Sequence, residues 1–217
     1  MRIGVAIPCY KYHIPVLKRC LDSIERQTQH PDEVVVVCSS TTNTDIPIYS
    51  YSFPLRIITR PERRNAAENR NLASTELTTD IVSFFDCDDE MHPQRIQILS
   101  DTFQQTNPDI CLHSFLEKEE TQKPFTQIQS PHRTVNHLRR APSGCATLNG
   151  NPTARIHHSQ VTVSKFILGR IRFKEDIGHE RREDAVFCGD VLDMPGCQSV
   201  YISDPLSKYY MEGVTHS

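Results

Sequence analysis

Apolar and polar residues alternate in blocks along the first half of the chain. Short apolar runs, rich in β-branched or aromatic residues, predict buried strands. These runs are 3–7, 34–38, 55–58, 81–85 and 110–113. The segments between them predict helices, two of which carry apolar residues at the spacing of one helix face. The predicted helices are 14–29, 65–75 and 95–105. This alternation of strand and helix up to residue 115 predicts a doubly wound α/β half.

The pattern becomes irregular after residue 117, where proline and glycine interrupt short segments. For this part we expect mixed or antiparallel strands, including 158–164, then a helix over about 181–192 and a final strand near 200–202. The basic stretch 131–140 predicts a flexible loop over the site. A chain of 217 residues is long enough to form one domain with a proper core.

An acidic segment, Asp86-Cys87-Asp88-Asp89, directly follows the apolar run that ends at Phe85. Alternate residues of an extended backbone project to the same side, so Asp86 and Asp88 can converge on one divalent cation, with Asp89 beside them. Magnesium and manganese take carboxylate oxygens and share their coordination shell with phosphates. A solvated turn is the alternative interpretation. The position after a strand of an α/β sheet favours a metal–diphosphate site.

Composition excludes some functions and sets expectations for others. The net charge of -3 gives no electrostatic case for binding nucleic acid. The eight cysteines are scattered singly, which is typical of reduced, mostly buried thiols. The chain opens on a predicted strand, without a signal peptide, and contains no apolar stretch long enough for a membrane span. We therefore expect a soluble, cytoplasmic protein.

Four short motifs stand in a definite order along the chain. They are Pro8-Cys9-Tyr10, Glu68-Asn69-Arg70-Asn71, Asp86-Cys87-Asp88-Asp89 and Glu183-Asp184. In this order they resemble the family 2 glycosyltransferases of the GT-A fold, over nearly the whole chain. The resemblance implies one α/β domain, 1–217, with a doubly wound mixed sheet. Its nucleotide-sugar-binding half would span about 1–115, and a smaller, irregular acceptor-binding half about 116–217.

The resemblance also implies which residues lie near the nucleotide base. Pro8 and Tyr10 correspond to the family's Pro-x-Tyr-Asn motif beside the base, although Lys11 stands where asparagine is usual. Ser39 lies in Cys38-Ser39-Ser40-Thr41, where the family usually has an acidic residue that helps to hold the base. We take Ser39 as the corresponding binding residue.

The diphosphate end of the donor is assigned in the same way. Arg70 corresponds to the family's arginine near the donor and the acidic loop. Asp86 and Asp88 correspond to the D-x-D motif, which implies that they bind the donor and, together with Asp89, a Mn²⁺ or Mg²⁺ ion. The resemblance implies a nucleotide-diphosphate sugar as donor, and uridine diphosphate sugars are favoured by their frequency in the family.

The late pair Glu183-Asp184 resembles the family's acidic pair in which the aspartate is the general base. The residues alone also fit an acidic first turn of a helix, which the helix dipole favours. The resemblance makes Asp184 the candidate that takes a proton from a hydroxyl acceptor on a glycan. Transfer would then invert the anomeric carbon in a single displacement.

Two other functions fit part of the same pattern. A metal-dependent nucleotidyltransferase or phosphohydrolase also uses acidic clusters after strands. However, the chain contains no G-x-x-x-x-G-K-[ST] or G-x-G-x-x-G loop to cradle phosphates. A catalytically inactive sugar-nucleotide-binding domain is the other alternative, suggested by the missing acidic residue after the second strand. A donor-hydrolysis assay with manganese separates this alternative from an enzyme.

Overall fold

One mixed β-sheet runs through both halves of the sequence. The computed structural model describes residues 1–140, 146–148, 160–176 and 182–210. The strands are β1 Ile3–Tyr10, β2 Glu33–Ser39, β3 Leu55–Arg60, β4 Ile81–Phe84, β5 Glu90–Met91, β6 Ile110–Glu117, β7 Arg133–Val135, β8 Leu138–Arg140, β9 Ala146–Leu148, β10 Thr162–Ser164 and β11 Ser199–Tyr209. The helices are α1 Ile14–Glu25, α2 Ala66–Glu76, α3 Arg95–Thr106, α4 Lys165–Leu168 and α5 Glu183–Leu192.

The sheet changes from parallel to mixed along its width. Its strand order is β3-β2-β1-β4-β10-β6-β11-β5, and β7 pairs with β11 outside this path. Strands β3, β2, β1 and β4 are parallel, whereas β10 is antiparallel to both β4 and β6. Strand β11 is parallel to β6, and β8 and β9 form a separate hairpin. Strands from both predicted halves therefore share one sheet.

Strand β2 shows why the first half could be predicted. Val34 and Val36 pack into the apolar layer that contains helices α1 and α3. Val35 and Val37 pack into the opposite layer, with α2 and α5. Because both faces are covered by helices, the strand is apolar at every one of these positions.

Helix α2 begins with a reciprocal cap that fixes the orientation of its polar residues. The Asn65 side chain accepts a hydrogen bond from the Glu68 backbone N–H at 2.9 Å, and the Glu68 carboxylate accepts from the Asn65 N–H at 2.8 Å. Such a capping box satisfies two N–H groups that the helix itself leaves unpaired. The following turns carry Asn69 and Arg70, both buried.

The second half departs from the sequence-based expectations in two places. The final strand is β11, eleven residues long instead of the predicted three, with register shifts on both sides of Pro205. The prediction of a flexible loop over 131–140 is wrong, because this stretch contains β7 and β8. Strand β7 pairs with β11, and Arg133 donates a hydrogen bond to Thr102 of α3 at 2.7 Å.

Other expectations fall partly outside the described residues. Within the predicted strand 158–164, the structure describes a strand only at β10. The described part contains seven cysteines, all free thiols, and six of them are buried. None of the described helices is long and apolar enough to cross a membrane.

Candidate active site

The predicted donor-site residues collect at the carboxyl ends of the parallel strands. Tyr10 at the end of β1 pairs in register with Ser39 at the end of β2. The acidic loop, residues 86–90, follows β4, which lies on the other side of β1. Ligands of open α/β sheets bind outside the carboxyl ends of their strands. The fold thus brings the base-end motif and the acidic loop to one edge of the sheet.

Arg70 joins the acidic loop to the late acidic pair. Its Nη2 donates to Asp86 Oδ1 at 2.8 Å, and its Nη1 donates to Glu183 Oε1 at 3.0 Å. The Arg70 side chain is only 3% exposed. Two acidic groups that are far apart in the sequence therefore meet at one buried guanidinium group.

The surroundings keep Arg70 charged. Burial alone lowers the pKa of its guanidinium group, because the interior disfavours the charged form. The neighbouring carboxylates of Asp86, Glu183 and Asp184 outweigh this effect and raise the pKa above its usual value. Arg70 is thus the common positive partner of both acidic groups.

The three aspartates of the acidic loop differ in their surroundings. Burial, followed by the nearby charge of Asp86, raises the pKa of Asp88 above its usual range. Asp89 is fully buried, and its carboxylate accepts a hydrogen bond from the Tyr210 backbone N–H at 3.1 Å. Asp86 and Asp88 are partly exposed, whereas a contact of the buried Asp89 with a metal ion stays a prediction.

The donor set of the acidic loop suits a divalent cation that shares its shell with a substrate. Within the ranges that the structure covers, no group of three histidine, cysteine or acidic side chains is arranged to hold a metal by itself. Magnesium bound together with phosphates commonly needs only one or two carboxylates from the protein. The mutual repulsion of Asp86 and Asp88, which a cation would relieve, fits this arrangement.

Asp184 lies in the first turn of α5, next to the residue that binds Arg70. Its Oδ1 accepts a hydrogen bond from the Ala185 backbone N–H at 2.6 Å. It is 9% exposed, against 3% for Glu183. A negative charge is favoured at this end of a helix. Asp184 is therefore slightly less buried than Glu183, and its carboxylate lies at the first turn of the helix.

Of the three residues predicted to lie near the nucleotide base, one is partly exposed and two are buried. The Tyr10 ring is partly exposed and meets the Tyr12 ring edge to face, with 5.5 Å between their centroids. Pro8 is buried within β1. Ser39 is also buried, and its hydroxyl donates to the Arg64 carbonyl at 3.3 Å and accepts from the Asn69 side chain at 3.0 Å. The Ser39 side chain thus links β2 to α2, and its contact with a nucleotide stays a prediction.

Several residues that support the acidic loop could not be recognised from the sequence. The Arg19 guanidinium lies 3.8 Å from the centroid of the Tyr210 ring and donates a hydrogen bond to the Asp88 carbonyl. The Tyr210 hydroxyl donates to Glu90 Oε2 at 3.1 Å. Neither Arg19 nor Tyr210 belongs to a recognisable motif. Their partners are distant in the sequence, so no local pattern could reveal these contacts. His179, near Asp184 in the sequence, lies outside the described residues.

The structure also contains a cavity whose lining residues do not include these acidic groups. It has a volume of about 730 Å³ and is lined mainly by residues 123–130, together with His92 and Pro205. None of the predicted donor or acceptor residues contributes to its wall. The candidate active site is therefore placed at the acidic groups that meet at Arg70.

Comparisons with known proteins agree with the fold and the motifs. The family model for glycosyl transferase family 2 matches residues 4–208. A Haemophilus influenzae protein named "Uncharacterized glycosyltransferase" is 28% identical over 132 residues, which are 59% of this chain and 44% of that protein. The "Teichoic acid poly(glycerol phosphate) polymerase" of Staphylococcus epidermidis is 28% identical over 153 residues, 64% of this chain and 21% of that protein. The chain spans less than half the length of these curated relatives.

The fold is also similar to that of a solved structure. A crystal structure of residues 1–349 of S. aureus TarS in complex with UDP-GlcNAc matches with a TM-score of 0.73 and 17% identity. The match covers 96% of this chain and 58% of the TarS chain. The prediction of an α/β GT-A-type mixed sheet is thereby confirmed. From the family match over most of its length, the chain belongs to glycosyl transferase family 2.

Proposed function

We propose that this protein transfers a sugar from a uridine diphosphate sugar to a hydroxyl group of a glycan, with inversion at the anomeric carbon. The observation that carries the proposal is the double ion pair of Arg70 with Asp86 and Glu183. It brings the acidic loop, which we propose binds the cation, next to the acidic pair, which we propose takes the proton from the acceptor hydroxyl. A single displacement needs this proximity, because the acceptor hydroxyl attacks the carbon that the diphosphate leaves.

On the donor side, Asp88 and Asp86 would hold Mn²⁺ or Mg²⁺ together with the diphosphate, with Asp89 supporting the loop from inside. The bound metal would act as a Lewis acid that neutralises charge on the departing diphosphate. Arg70 adds a fixed positive charge next to Asp86. Tyr10, with its partly exposed ring, is the residue proposed to contact the base, and Pro8 and Ser39 shape the strand ends around it.

On the acceptor side, Asp184 would take the proton from the attacking hydroxyl. A positioned general base typically contributes about 10²- to 10⁴-fold to the rate. Glu183 is less suited to this role, since it is more buried and already accepts a hydrogen bond from Arg70. A single displacement needs no enzyme nucleophile, and inversion follows from attack on the face opposite the diphosphate.

The donor and acceptor classes are supported by the names of similar proteins. The S. aureus TarS structure contains UDP-GlcNAc, which supports a uridine diphosphate sugar as donor. The S. epidermidis relative is named for a polymer of glycerol phosphate, which supports a hydroxyl group on a polymer as acceptor. We also propose that residues 1–217 form a single catalytic domain, with the donor half at 1–115 and the acceptor half at 116–217.

A product analysis tests the proposal without a known acceptor. The protein is incubated with UDP-GlcNAc and Mn²⁺, so that water can replace the acceptor, and the products are followed by NMR. We expect release of UDP together with the inverted sugar anomer. Release of UMP or inorganic phosphate would instead support the phosphohydrolase or nucleotidyltransferase alternative. Binding without any release, also with a panel of other UDP-sugars, would support an inactive binding domain.

A further inference from the structure

Tyr210 makes two hydrogen bonds to the acidic loop although the two are far apart in the sequence. Its backbone N–H donates to Asp89 Oδ1 at 3.1 Å, and its hydroxyl donates to Glu90 Oε2 at 3.1 Å. Asp89 is fully buried. A buried carboxylate needs such hydrogen bonds, because burial removes its hydration. One residue after the end of β11 therefore fixes two consecutive residues of the loop.

Arg19 of α1 extends this contact to a third loop residue. Its guanidinium group lies over the Tyr210 ring, 3.8 Å from the ring centroid, at a distance typical of a cation–π interaction. The same guanidinium group donates a hydrogen bond to the Asp88 carbonyl. The ring thus supports the arginine that holds the backbone of Asp88. Residues 88, 89 and 90 are each held, directly or through Arg19, by Tyr210.

We propose that Tyr210 is a positioning residue for the donor site, which orients the Asp88 carboxylate toward the cation and diphosphate without touching either. The inference rests on the proposed function, since it concerns the same metal–diphosphate site. It also means that the end of β11 is coupled mechanically to donor binding. A change in the path of the chain at residue 210 would then alter donor affinity.

The geometry distinguishes this role from general packing. Tyr210 is only partly buried, so its ring is not part of either apolar core layer. Glu90 also makes ion pairs with Arg26 at 3.0 Å and Lys208 at 3.2 Å, and neither pair involves the Tyr210 hydroxyl. Strand β5 and the fold should therefore persist in a Tyr210 variant. The loop backbone at Asp88 is the part that loses its support.

The experiment compares Tyr210→Ala and Tyr210→Phe with the wild type. UDP binding is measured by calorimetry at a fixed Mn²⁺ concentration, and the Mn²⁺ midpoint is measured at fixed UDP. We expect Tyr210→Ala to weaken UDP binding about tenfold, from the loss of one charged hydrogen bond and one cation–π contact, and to raise the Mn²⁺ midpoint. Tyr210→Phe keeps the ring and the N–H, so its loss should stay below about threefold.

Tyr51 provides the matched control. Its hydroxyl also donates to an aspartate, Asp22 at 2.8 Å, but this carboxylate is on α1 and outside the acidic loop. Tyr51→Phe and Tyr51→Ala should leave UDP affinity and the Mn²⁺ midpoint unchanged. Uridine lacks the diphosphate, and its binding, followed by ligand-observed NMR, should be the same in the wild type and in Tyr210→Ala.

The possible results separate this inference from the proposed function. Absence of UDP binding to the wild-type protein in Mn²⁺ would overturn the proposed function, and this inference with it. Mn²⁺-dependent binding of UDP with equal affinity in wild type and Tyr210→Ala would overturn only the positioning role. An equal loss of uridine and UDP binding in Tyr210→Ala would do the same, because it would indicate general damage to the fold.

Discussion

The two acidic groups that meet at Arg70 lie in different environments. Asp86 and Asp88 belong to a loop and are partly exposed, and repulsion between them contributes to the raised pKa of Asp88. Glu183 and Asp184 belong to the first turn of a helix and are almost fully buried. Arg70 pairs with a carboxylate on each side. The loop side nevertheless retains repulsion at Asp88 that a cation can relieve, whereas on the helix side the end of α5 adds to the compensation of charge. This difference fits the division into a donor side and an acceptor side.

Removal of Arg70 should disrupt the acidic loop and the acidic pair at the same time. Arg70→Met leaves the buried Glu183 carboxylate without its arginine, and breaking a buried pair in this way typically costs about 3–5 kcal/mol in the free energy of unfolding. Urea denaturation followed by circular dichroism measures this loss. Arg70→Lys should recover part of the stability, because a single ammonium group cannot bind both carboxylates in the same geometry.

The exposed pair of Arg56 and Glu76, 2.9 Å apart, gives the control for this change. Exposed pairs of this kind contribute less than about 1 kcal/mol, so Arg56→Met should be nearly neutral. If Arg70→Met were as mild as Arg56→Met, Arg70 would not be the common anchor of the two acidic groups.

Asp184→Asn should break the acceptor side alone. The asparagine oxygen can still accept the hydrogen bond from the Ala185 N–H, but it cannot take a proton. We expect the turnover number to fall by about 10²- to 10⁴-fold, while the UDP affinity measured by calorimetry stays within about twofold, since Asp184 makes no contribution to donor binding in this account. Asp190→Asn, in the same helix, should retain full turnover. An active Asp184→Asn enzyme would remove the assignment of the general base.

Asp88→Asn should break the donor side alone. Loss of one cation ligand removes several kcal/mol of charge stabilisation, which corresponds to a rise of about 100-fold in the Mn²⁺ concentration needed for UDP binding. Stability should change little, because Asp88 is partly exposed and its neutral form relieves the repulsion from Asp86. Asp101→Asn in α3 serves as control. Unchanged Mn²⁺ dependence in Asp88→Asn would exclude Asp88 as a cation ligand.

The smallest effect is expected at Glu33, a carboxylate outside the cleft. Although burial acts to raise its pKa, hydrogen bonds from Thr78 and Arg2 lower the pKa below its usual value. A lowered folded-state pKa stabilises the protein above the unfolded pKa, and this contribution is lost as the pH falls through the folded value. Glu33→Gln should therefore cost less than about 1 kcal/mol at pH 7.

Denaturation curves from pH 7 into the acid range check this sign. The difference in unfolding free energy between Glu33→Gln and the wild type should shrink as the pH falls. A difference that grew with acid would mean that the Glu33 carboxylate is destabilised in the fold.

The sequence predicted best those elements whose pattern is set by local burial. Strand β2 is covered on both faces, so its apolar run was sufficient to recognise it. Strand β11 was recognised only in part. Its residues after Ile202 include polar ones and Pro205, and it is held in the sheet by pairing with β5 and β6, which no local pattern encodes. The stretch 131–140 contains strands where the sequence predicts a loop, because the pairing of β7 with β11 is also non-local.

The site residues show the same difference between local motifs, which could be recognised, and contacts between distant residues, which could not. Order along the chain pointed to Arg70, Asp86 and Asp184, since each stands in a recognisable motif. The pairing of Arg70 with Glu183 could not be predicted, because it depends on how α2 and α5 pack against the sheet. For Ser39, the place in the sequence predicts a nucleotide contact, which stays a prediction, and the hydrogen bonds of its hydroxyl to Arg64 and Asn69 could not be predicted, because they link residues distant in the sequence.

The most direct test of the shared cleft is a crystal structure of the protein with UDP and Mn²⁺, in which the anomalous signal locates the metal. We predict one Mn²⁺ ion coordinated by Asp88 and the diphosphate, close to Asp86. Asp184 should line the same cleft. A metal bound elsewhere, or a diphosphate that does not contact the acidic loop, would contradict the account.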